Sequence, residues 1–169
     1  MRILVIAAAL FLLPAPTQAD DRIPPVANKI VKRECGGCHM AFQPLLLPQR
    51  SWLLLMGNLS DHFGESANLN EGDRREILGY LTGGSADVTL SKAGVKIMRN
   101  VKTDETPLRI TGLPHWQRKH KGGDYALMMK ATKAKSNADC VSCHQDADNG
   151  NYDDDHGHDD DDERKKKNN

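Results

Sequence analysis

Two copies of one pentapeptide constrain this chain more than any other feature. They are Cys35-Gly36-Gly37-Cys38-His39 and Cys140-Val141-Ser142-Cys143-His144, and both have the pattern C-x-x-C-H. This spacing attaches c-type haem, because the two thiols reach the two vinyl groups of one porphyrin and the next histidine lies under the iron. The two copies use all four cysteines of the chain. The sequence therefore predicts two covalently bound haem c groups, with Cys35, Cys38, Cys140 and Cys143 as attachment sites and His39 and His144 as proximal ligands.

Other roles of paired cysteines fit the chain less well. A thioredoxin-like dithiol lies in a βαβ context, and this sequence does not alternate strand and helix patterns. A four-cysteine zinc site needs two C-x-x-C pairs around one ion, which the separation of about 100 residues does not exclude. Zinc, however, gives no reason for a histidine after both pairs. Haem is therefore favoured, with a zinc site or structural disulfides as the alternatives.

The first 19 residues have the pattern of a secretory signal peptide. Arg2 gives a charged start, residues 3–13 form an apolar stretch of 11 residues, and Thr17-Gln18-Ala19 ends in a small residue suited to cleavage. The apolar stretch is shorter than the roughly 20 residues that span a bilayer, and an uncleaved anchor is the alternative. Since bacterial haem attachment follows export, we expect a soluble periplasmic protein without stable membrane insertion, whose mature chain begins near Asp20.

The N-terminal part, residues 20–103, has a helical pattern. We expect a short helix from Val26 to Cys35, a helix over residues 51–56 that is apolar nearly all round and therefore buried, and a helix over residues 91–101. Another helix begins at Asn70, a good N-cap followed by acidic residues, and ends at Gly83-Gly84. The expected fold class is mainly α.

The C-terminal part, residues 104–152, has few apolar residues and weak periodicity. We expect one helix from Ala126 to Lys133, otherwise loop, and a segment wrapped around a haem instead of a protein core. The tail, residues 153–169, has eight acidic and four basic residues, which is typical of disorder. A transition-metal site at His156 and His158 is the alternative to a solvated charge run. Residues 20–152 have 18 basic and 15 acidic residues, too small an excess to indicate a nucleic-acid partner.

The sixth ligand of the first iron decides its chemistry, because histidine gives a low potential, methionine raises it and an open position binds small molecules. His62 lies between the apolar helix and a glycine turn, which suits a side chain that enters a haem pocket. Met98 and Met56 are the alternatives, and a solvent-facing loop histidine is the neutral interpretation.

For the second iron, His120 and His115 are both candidates. On a helix Trp116 and His120 share a face while His115 points elsewhere, so Trp116 would pack on the porphyrin beside His120. Position therefore favours His120, with His115 as the alternative, and the neutral interpretation is that both histidines belong to a basic surface stretch.

Several further motifs are informative when taken with the two pentapeptides. They are His-Phe-Gly at 62–64, the helical Ile-Leu-Gly-Tyr-Leu at 77–81, Arg-Ile-Thr at 109–111, Pro-x-Trp-x-Arg-x-His at 114–120, Ser-Asn-x-x-Cys-x-x-Cys-His at 136–144 and Asp-Ala-Asp-Asn-Gly at 146–150. Together they resemble the bacterial dihaem cytochrome c family, the partner of the oxygen-binding "sphaeroides haem protein". The resemblance covers most of the expected mature chain.

The resemblance implies that both haems are bis-histidine, with His62 and His120 as the sixth ligands. It also implies a class I cytochrome c-like fold for the N-terminal part and an irregular C-terminal part around the second haem. His115 stands where the family tends to have an aromatic residue, and the charged tail is not a feature associated with the family.

The expected function is single-electron transfer by a monomer through two low-potential haems, not enzymatic catalysis. The resemblance implies an oxygen-binding monohaem cytochrome as partner, with a membrane cytochrome as a further candidate donor. The alternative is a small dihaem peroxidase or reductase with one labile axial ligand, for which the chain is short and lacks recognisable distal acid–base residues.

Overall fold

The computed structural model describes residues 23–152, so the predicted signal peptide, the tail, and His156 and His158 lie outside the described residues. Within residues 23–152 the regular secondary structure is helical and there is no β-strand. His62 and Glu65 form an isolated β-bridge. The mainly α class is therefore confirmed. The helices are α1 (Lys29–Cys35), α2 (Gln49–Gly57), α3 (Glu71–Gly83), α4 (Lys92–Met98), α5 (Pro114–Lys119) and α6 (Gly123–Thr132). None of these described helices is long and apolar enough to cross a membrane.

Polar side chains cap three of the N-terminal helices. The Asn28 side chain accepts hydrogen bonds from two first-turn N–H groups at 2.8 and 3.0 Å, so α1 begins after Asn28 and not at Val26. Asn70 and Ser91 each accept one such bond, at 2.9 and 3.0 Å. The predicted start of α3 at Asn70 and its end at Gly84 are confirmed. Because a cap satisfies backbone donors that the helix itself leaves without partners, these local residues set the helix starts.

The N-terminal helices surround one hydrophobic core, in which α2 packs mainly against α3. The expectation that α2 is buried nearly all round is wrong: Trp52 and Met56 are 7% and 5% exposed, whereas Leu53 and Leu54 are 50% and 51% exposed. Consecutive positions on a helix point in different directions, and the described core lies on one side of α2 only. The buried hydrophobic residues of the core are Val26, Val31, Leu45, Leu46, Leu47, Trp52, Met56, Ile77, Leu81, Ala86, Ala93, Ile97 and Leu113.

The C-terminal part has helices but hardly any core. Between Leu113 and Ala147 no side chain is buried, and on α6 Leu127 and Met128 are 66% and 44% exposed. The prediction that everything outside residues 126–133 is loop is wrong, because α5 begins at Pro114. Proline suits the first position of a helix, where its missing N–H is not needed. Helix α6 therefore has little protein surface to pack against, whereas α5 contacts α4 and packs Trp116 against the core.

The end of the described chain returns to the N-terminal part. Gln43 is 0% exposed, and its Nε2 donates to the carbonyl oxygen of Ala147 at 2.7 Å. Its Oε1 accepts a hydrogen bond from the Tyr152 hydroxyl at 2.6 Å. Gly150 has φ +80°, and a Cβ there would lie 1.7 Å from the carbonyl oxygen of Ile23, so this contact needs glycine. The division of the chain at residues 103 and 104 stays a prediction.

Removing the Tyr152 hydroxyl is expected to destabilise this junction. Tyr152→Phe leaves the buried Oε1 of Gln43 without its donor, which costs about 1–3 kcal/mol of the free energy of unfolding. Denaturant unfolding of the holoprotein measures the change. Tyr125→Phe is the matched control, because the Tyr125 hydroxyl donates to Asn137 at 3.0 Å in an exposed position and its loss should cost at most about 0.5 kcal/mol. Equal effects of the two substitutions would contradict the assignment.

Candidate haem sites

The first C-x-x-C-H begins at the last residue of α1. Gly36 caps this helix, and a Cβ there would lie 2.2 Å from the carbonyl oxygen of Lys32. The chain therefore turns tightly from Cys35, which is half-buried, to the exposed Cys38. The next residue, His39, donates from Nδ1 to its neighbour's carbonyl oxygen at 2.7 Å. Since a carbonyl only accepts, this bond leaves the lone pair on Nε2, the nitrogen that a metal would use.

The second C-x-x-C-H forms a tight turn of its own. The N–H groups of Cys143 and His144 both donate to the carbonyl oxygen of Cys140, at 3.1 and 2.7 Å. The Sγ atom of Cys143 lies 3.5 Å from Oγ1 of Thr132, the last residue of α6. The motif is therefore held against the end of that helix.

The thiols lack the features of a dithiol or zinc site. Burial raises the pKa of the Cys140 thiol to about 11. Burial, and to a smaller extent the negative charge of Glu34, also raise the pKa of the Cys35 thiol. The reactive cysteines of dithiol sites instead have a lowered pKa. The four cysteines form no disulfide, and within residues 23–152 no three or more His, Cys, Asp or Glu side chains gather as a metal site. The alternatives to haem therefore find no support here.

His62 lies opposite His39. The two ring centres are 6.2 Å apart and the planes are inclined by 25°. A metal–nitrogen bond of about 2.0 Å on each side, with about 1.1 Å from nitrogen to ring centre, would place two axial imidazoles about 6 Å apart. Burial, then the nearby His39 and Arg109, lower the pKa of His62, which favours the neutral, metal-binding form of the ring.

His120 lies beside His144 at a distance similar to that of the first pair. The ring centres are 6.0 Å apart, with planes inclined by 80°. His120 follows α5 directly, donates from Nδ1 to the carbonyl oxygen of Trp116 at 2.9 Å, and stacks on the Trp116 ring at 4.2 Å. Tyr125 meets His120 edge to face at 5.5 Å, and Tyr152 lies 5.7 Å from the ring of His144. Aromatic side chains therefore surround the second pair.

The alternative ligands lie elsewhere. His115 has no ring contact with His144 in the described part of the chain, and its Nδ1 is 3.2 Å from Nη2 of Arg118. Met56 is 5% exposed within the hydrophobic core, and Met98 packs against the same core. Neither methionine takes the position that the His62 ring occupies beside His39.

A family comparison decides the class of protein. The family model described as "Dihaem cytochrome c" matches residues 31–152. This chain belongs to the dihaem cytochrome c family. Membership establishes two c-type haems as the cofactors and electron transfer as the general role of such proteins.

Solved structures agree with this membership. The chain is similar to "Diheme cytochrome c from Rhodobacter sphaeroides", with 41% identity, 75% of this chain and 98% of that chain covered, and a TM-score of 0.69. It is also similar to a diheme cytochrome c from Shewanella baltica OS155, with 30% identity, 75% and 87% coverage, and a TM-score of 0.58. No match was found among curated proteins. The predicted cytochrome c-like helical fold is confirmed by these matches.

The residues of this dihaem cytochrome c fit both cofactors. Each C-x-x-C-H places its cysteines within one turn, and a second imidazole faces each motif histidine at a spacing suited to one iron. A cleft of about 420 Å³ is lined by His39, Met40 and Ala41 from the first site and by Val141 from the second. The two attachment motifs therefore lie side by side.

Sequence reasoning did not single out several neighbours of these sites. Gln43, Tyr125 and Tyr152 have no motif or periodicity that would mark them. Phe63 and Arg109 stood only inside short family motifs, yet the Arg109 guanidinium lies over the Phe63 ring. Their roles depend on contacts between distant parts of the chain, which no local pattern indicates.

Proposed function

We propose that this dihaem cytochrome c carries single electrons in the periplasm through two low-potential, bis-histidine haems. His39 and His62 would hold the first iron, and His144 and His120 the second. The observation that supports this assignment is the repeated pairing of imidazole rings, at 6.2 and 6.0 Å, beside both attachment motifs. The signal-peptide pattern supports export, and the exposed α6 supports a C-terminal segment that covers the second haem.

Backbone carbonyl groups hold two of the four imidazole rings in place. The bound haem supplies the one-electron couple of its iron. His39 and His120 hold their protons on Nδ1 against backbone carbonyls, so Nε2 is available and the ring orientation is set. With two imidazoles on each iron, no coordination position is open to substrate. This arrangement favours an electron carrier over the alternative, a small dihaem peroxidase or reductase with a labile ligand.

Electrons would pass between the haems inside the molecule. Met40 and Ala41 follow the first proximal histidine, and Val141 belongs to the second attachment motif, all on one cleft. Because each porphyrin would be bound through its own motif, motifs that share a cleft would bring the two haems near each other. The protein would therefore act as a two-electron store that exchanges one electron at a time.

The partners would be redox proteins, with an oxygen-binding monohaem cytochrome as acceptor and a membrane cytochrome as a candidate donor. The protein itself would act as a monomer. A basic surface on α4 and α5 lies next to the second site. Burial has the largest effect in lowering the pKa of His115. The positive charges nearby lower it further, and they belong to Arg118, Lys119, Arg99 and Lys96. Since His120 directly follows Lys119, this surface would attract an acidic partner towards the second haem, in a brief encounter.

The basic surface predicts charge-dependent kinetics. Oxidation of the reduced protein by ferricyanide, an anion, is expected to slow as ionic strength rises, and oxidation by hexaammineruthenium(III), a cation, to accelerate. Arg99→Gln is expected to reduce the low-salt ferricyanide rate by about threefold. Arg74→Gln removes the same charge from α3, where Glu71 already pairs with it at 2.9 Å, and should have little effect. Stopped-flow absorbance measures the rates, and identical rates for the two variants would count against the docking surface.

Low-temperature electron paramagnetic resonance of the ferric holoprotein, with near-infrared magnetic circular dichroism, tests the ligation. Two low-spin bis-histidine haems are expected. Their signals should differ, because one pair of rings is inclined by 25° and the other by 80°. A thioether band would assign a methionine to one iron, and a high-spin signal would favour the enzymatic alternative.

A further inference from the structure

We propose that Arg109 is a positioning residue for the sixth ligand of the first haem, and that it acts through the ring of Phe63. The inference rests on the proposed ligation by His62. The guanidinium carbon of Arg109 lies 4.0 Å from the centre of the Phe63 ring. The same ring meets His62 edge to face, with centres 4.9 Å apart. Cation, aromatic ring and imidazole are thus in consecutive contact.

The backbone around Phe63 fixes the direction of this ring. Phe63 has φ +59° and Gly64 has φ +98°. Such a φ is rare for a bulky residue, and here a hydrogen-bonded turn maintains it. His62 N–H donates to the Glu65 carbonyl at 2.7 Å, and the N–H groups of Phe63 and Gly64 donate to the Asp61 carbonyl and carboxylate at 3.1 and 3.0 Å. The turn presents the ring to His62 on one side and to Arg109 on the other.

Core packing does not explain the conformation of Phe63. The side chain is 45% exposed and is not part of the hydrophobic core. Its recorded ring contacts in residues 23–152 are those with His62 and Arg109. An aromatic ring held in an uncommon backbone conformation at the surface, against an imidazole, suits a support for that imidazole.

Arg109 comes from the part of the chain that also supplies the second site. It directly precedes a short 3-10 turn, Ile110–Gly112, which leads into α5 and on to His120. Ile110 packs against the hydrophobic core, so the backbone beside Arg109 is anchored. The contact with Phe63 therefore connects the element that holds one sixth ligand to the turn that holds the other.

The test uses Arg109→Gln, Arg109→Lys and Phe63→Leu in the holoprotein. We expect Arg109→Gln and Phe63→Leu to broaden or shift only one of the two low-spin resonance signals. We also expect each to accelerate carbon monoxide binding to the ferrous first haem about fivefold, as suits the loss of one cation–π contact. Arg109→Lys keeps a cation over the ring and should stay close to the wild type. The second haem is an internal reference, and Arg75→Gln, a 71% exposed arginine on α3, is the surface control.

Three results would overturn the inference. If Arg109→Gln changes signal and rate as much in a Phe63→Leu background as in the wild type, Arg109 acts independently of Phe63, for example on a haem propionate. If the wild type is bis-histidine and Arg109→Gln changes neither readout, the positioning role is wrong while the proposed function stands. If the wild-type first haem is not bis-histidine, both fail.

Discussion

Replacing His62 with alanine is expected to open one of the two irons to carbon monoxide and to leave the other unchanged. The ring of His62 faces His39 at 6.2 Å, and alanine has no donor atom to take its place. Difference spectra of the reduced protein, taken before carbon monoxide can slowly displace an intact histidine ligand, should show no binding in the wild type, one equivalent in His62→Ala and one in His120→Ala. The double variant should bind two equivalents, because each histidine serves a separate iron.

His115→Ala is the matched control for the second site. His115 directly precedes Trp116 on the same short helix, yet its Nδ1 contacts Arg118, and it is His120 that lies beside the His144 ring. We expect this variant to bind no carbon monoxide on the same timescale, as in the wild type. If it binds carbon monoxide while His120→Ala does not, His115 and not His120 is the sixth ligand of the second iron. A further variant, His62→Met, should raise one midpoint potential by on the order of 100 mV, within the roughly 0.8 V range that axial ligands control.

Removing the second haem is expected to unfold the segment that surrounds it. In the double substitution Cys140→Ser with Cys143→Ser the porphyrin has no covalent attachment. No side chain of residues 114–146 is buried, and a segment that buries so little apolar surface cannot offset its loss of conformational entropy. Hydrogen exchange measured by mass spectrometry should show protection in α6 falling to nearly zero, as in locally unfolded regions, while α3 keeps its protection.

The first site provides the comparison. In Cys35→Ser with Cys38→Ser the N-terminal part loses a porphyrin but keeps the core that includes Trp52, Ile77 and Leu113. We therefore expect a lower midpoint of unfolding with substantial protection left in α3. Unchanged protection of α6 in the Cys140/Cys143 variant would contradict the dependence of this segment on its haem.

Features that depend on neighbouring residues could be predicted from the sequence. The two attachment motifs, the cap at Asn70 and the end of α3 at Gly84 each involve residues within one helical turn, so local chemistry specifies them. The loop expected over residues 114–119 is wrong for a local reason as well: weak periodicity does not indicate a helix there, but proline is suited to the first helical position.

Features that depend on the tertiary fold were beyond the sequence. The exposure of Leu53 and Leu54 follows from where the partners of α2 lie, not from its composition. The hydrogen bond between Tyr152 and Gln43 joins residues 109 positions apart, and no periodicity indicates it. Sequence position could rank His62 and His120 as ligands, but the angle between each pair of rings needed the structure.

The return of residues 147–152 to Gln43 and Ile23 gives the maturation of this protein a direction. The first attachment motif is synthesised well before the residues that later close over its surroundings. A nascent chain that ends before Ala147 already contains both C-x-x-C-H sequences but lacks the partners of Gln43 and Ile23. A chain that lacks residues 147–152 would therefore keep both attachment motifs and lose only the contacts that close its end against Gln43 and Ile23.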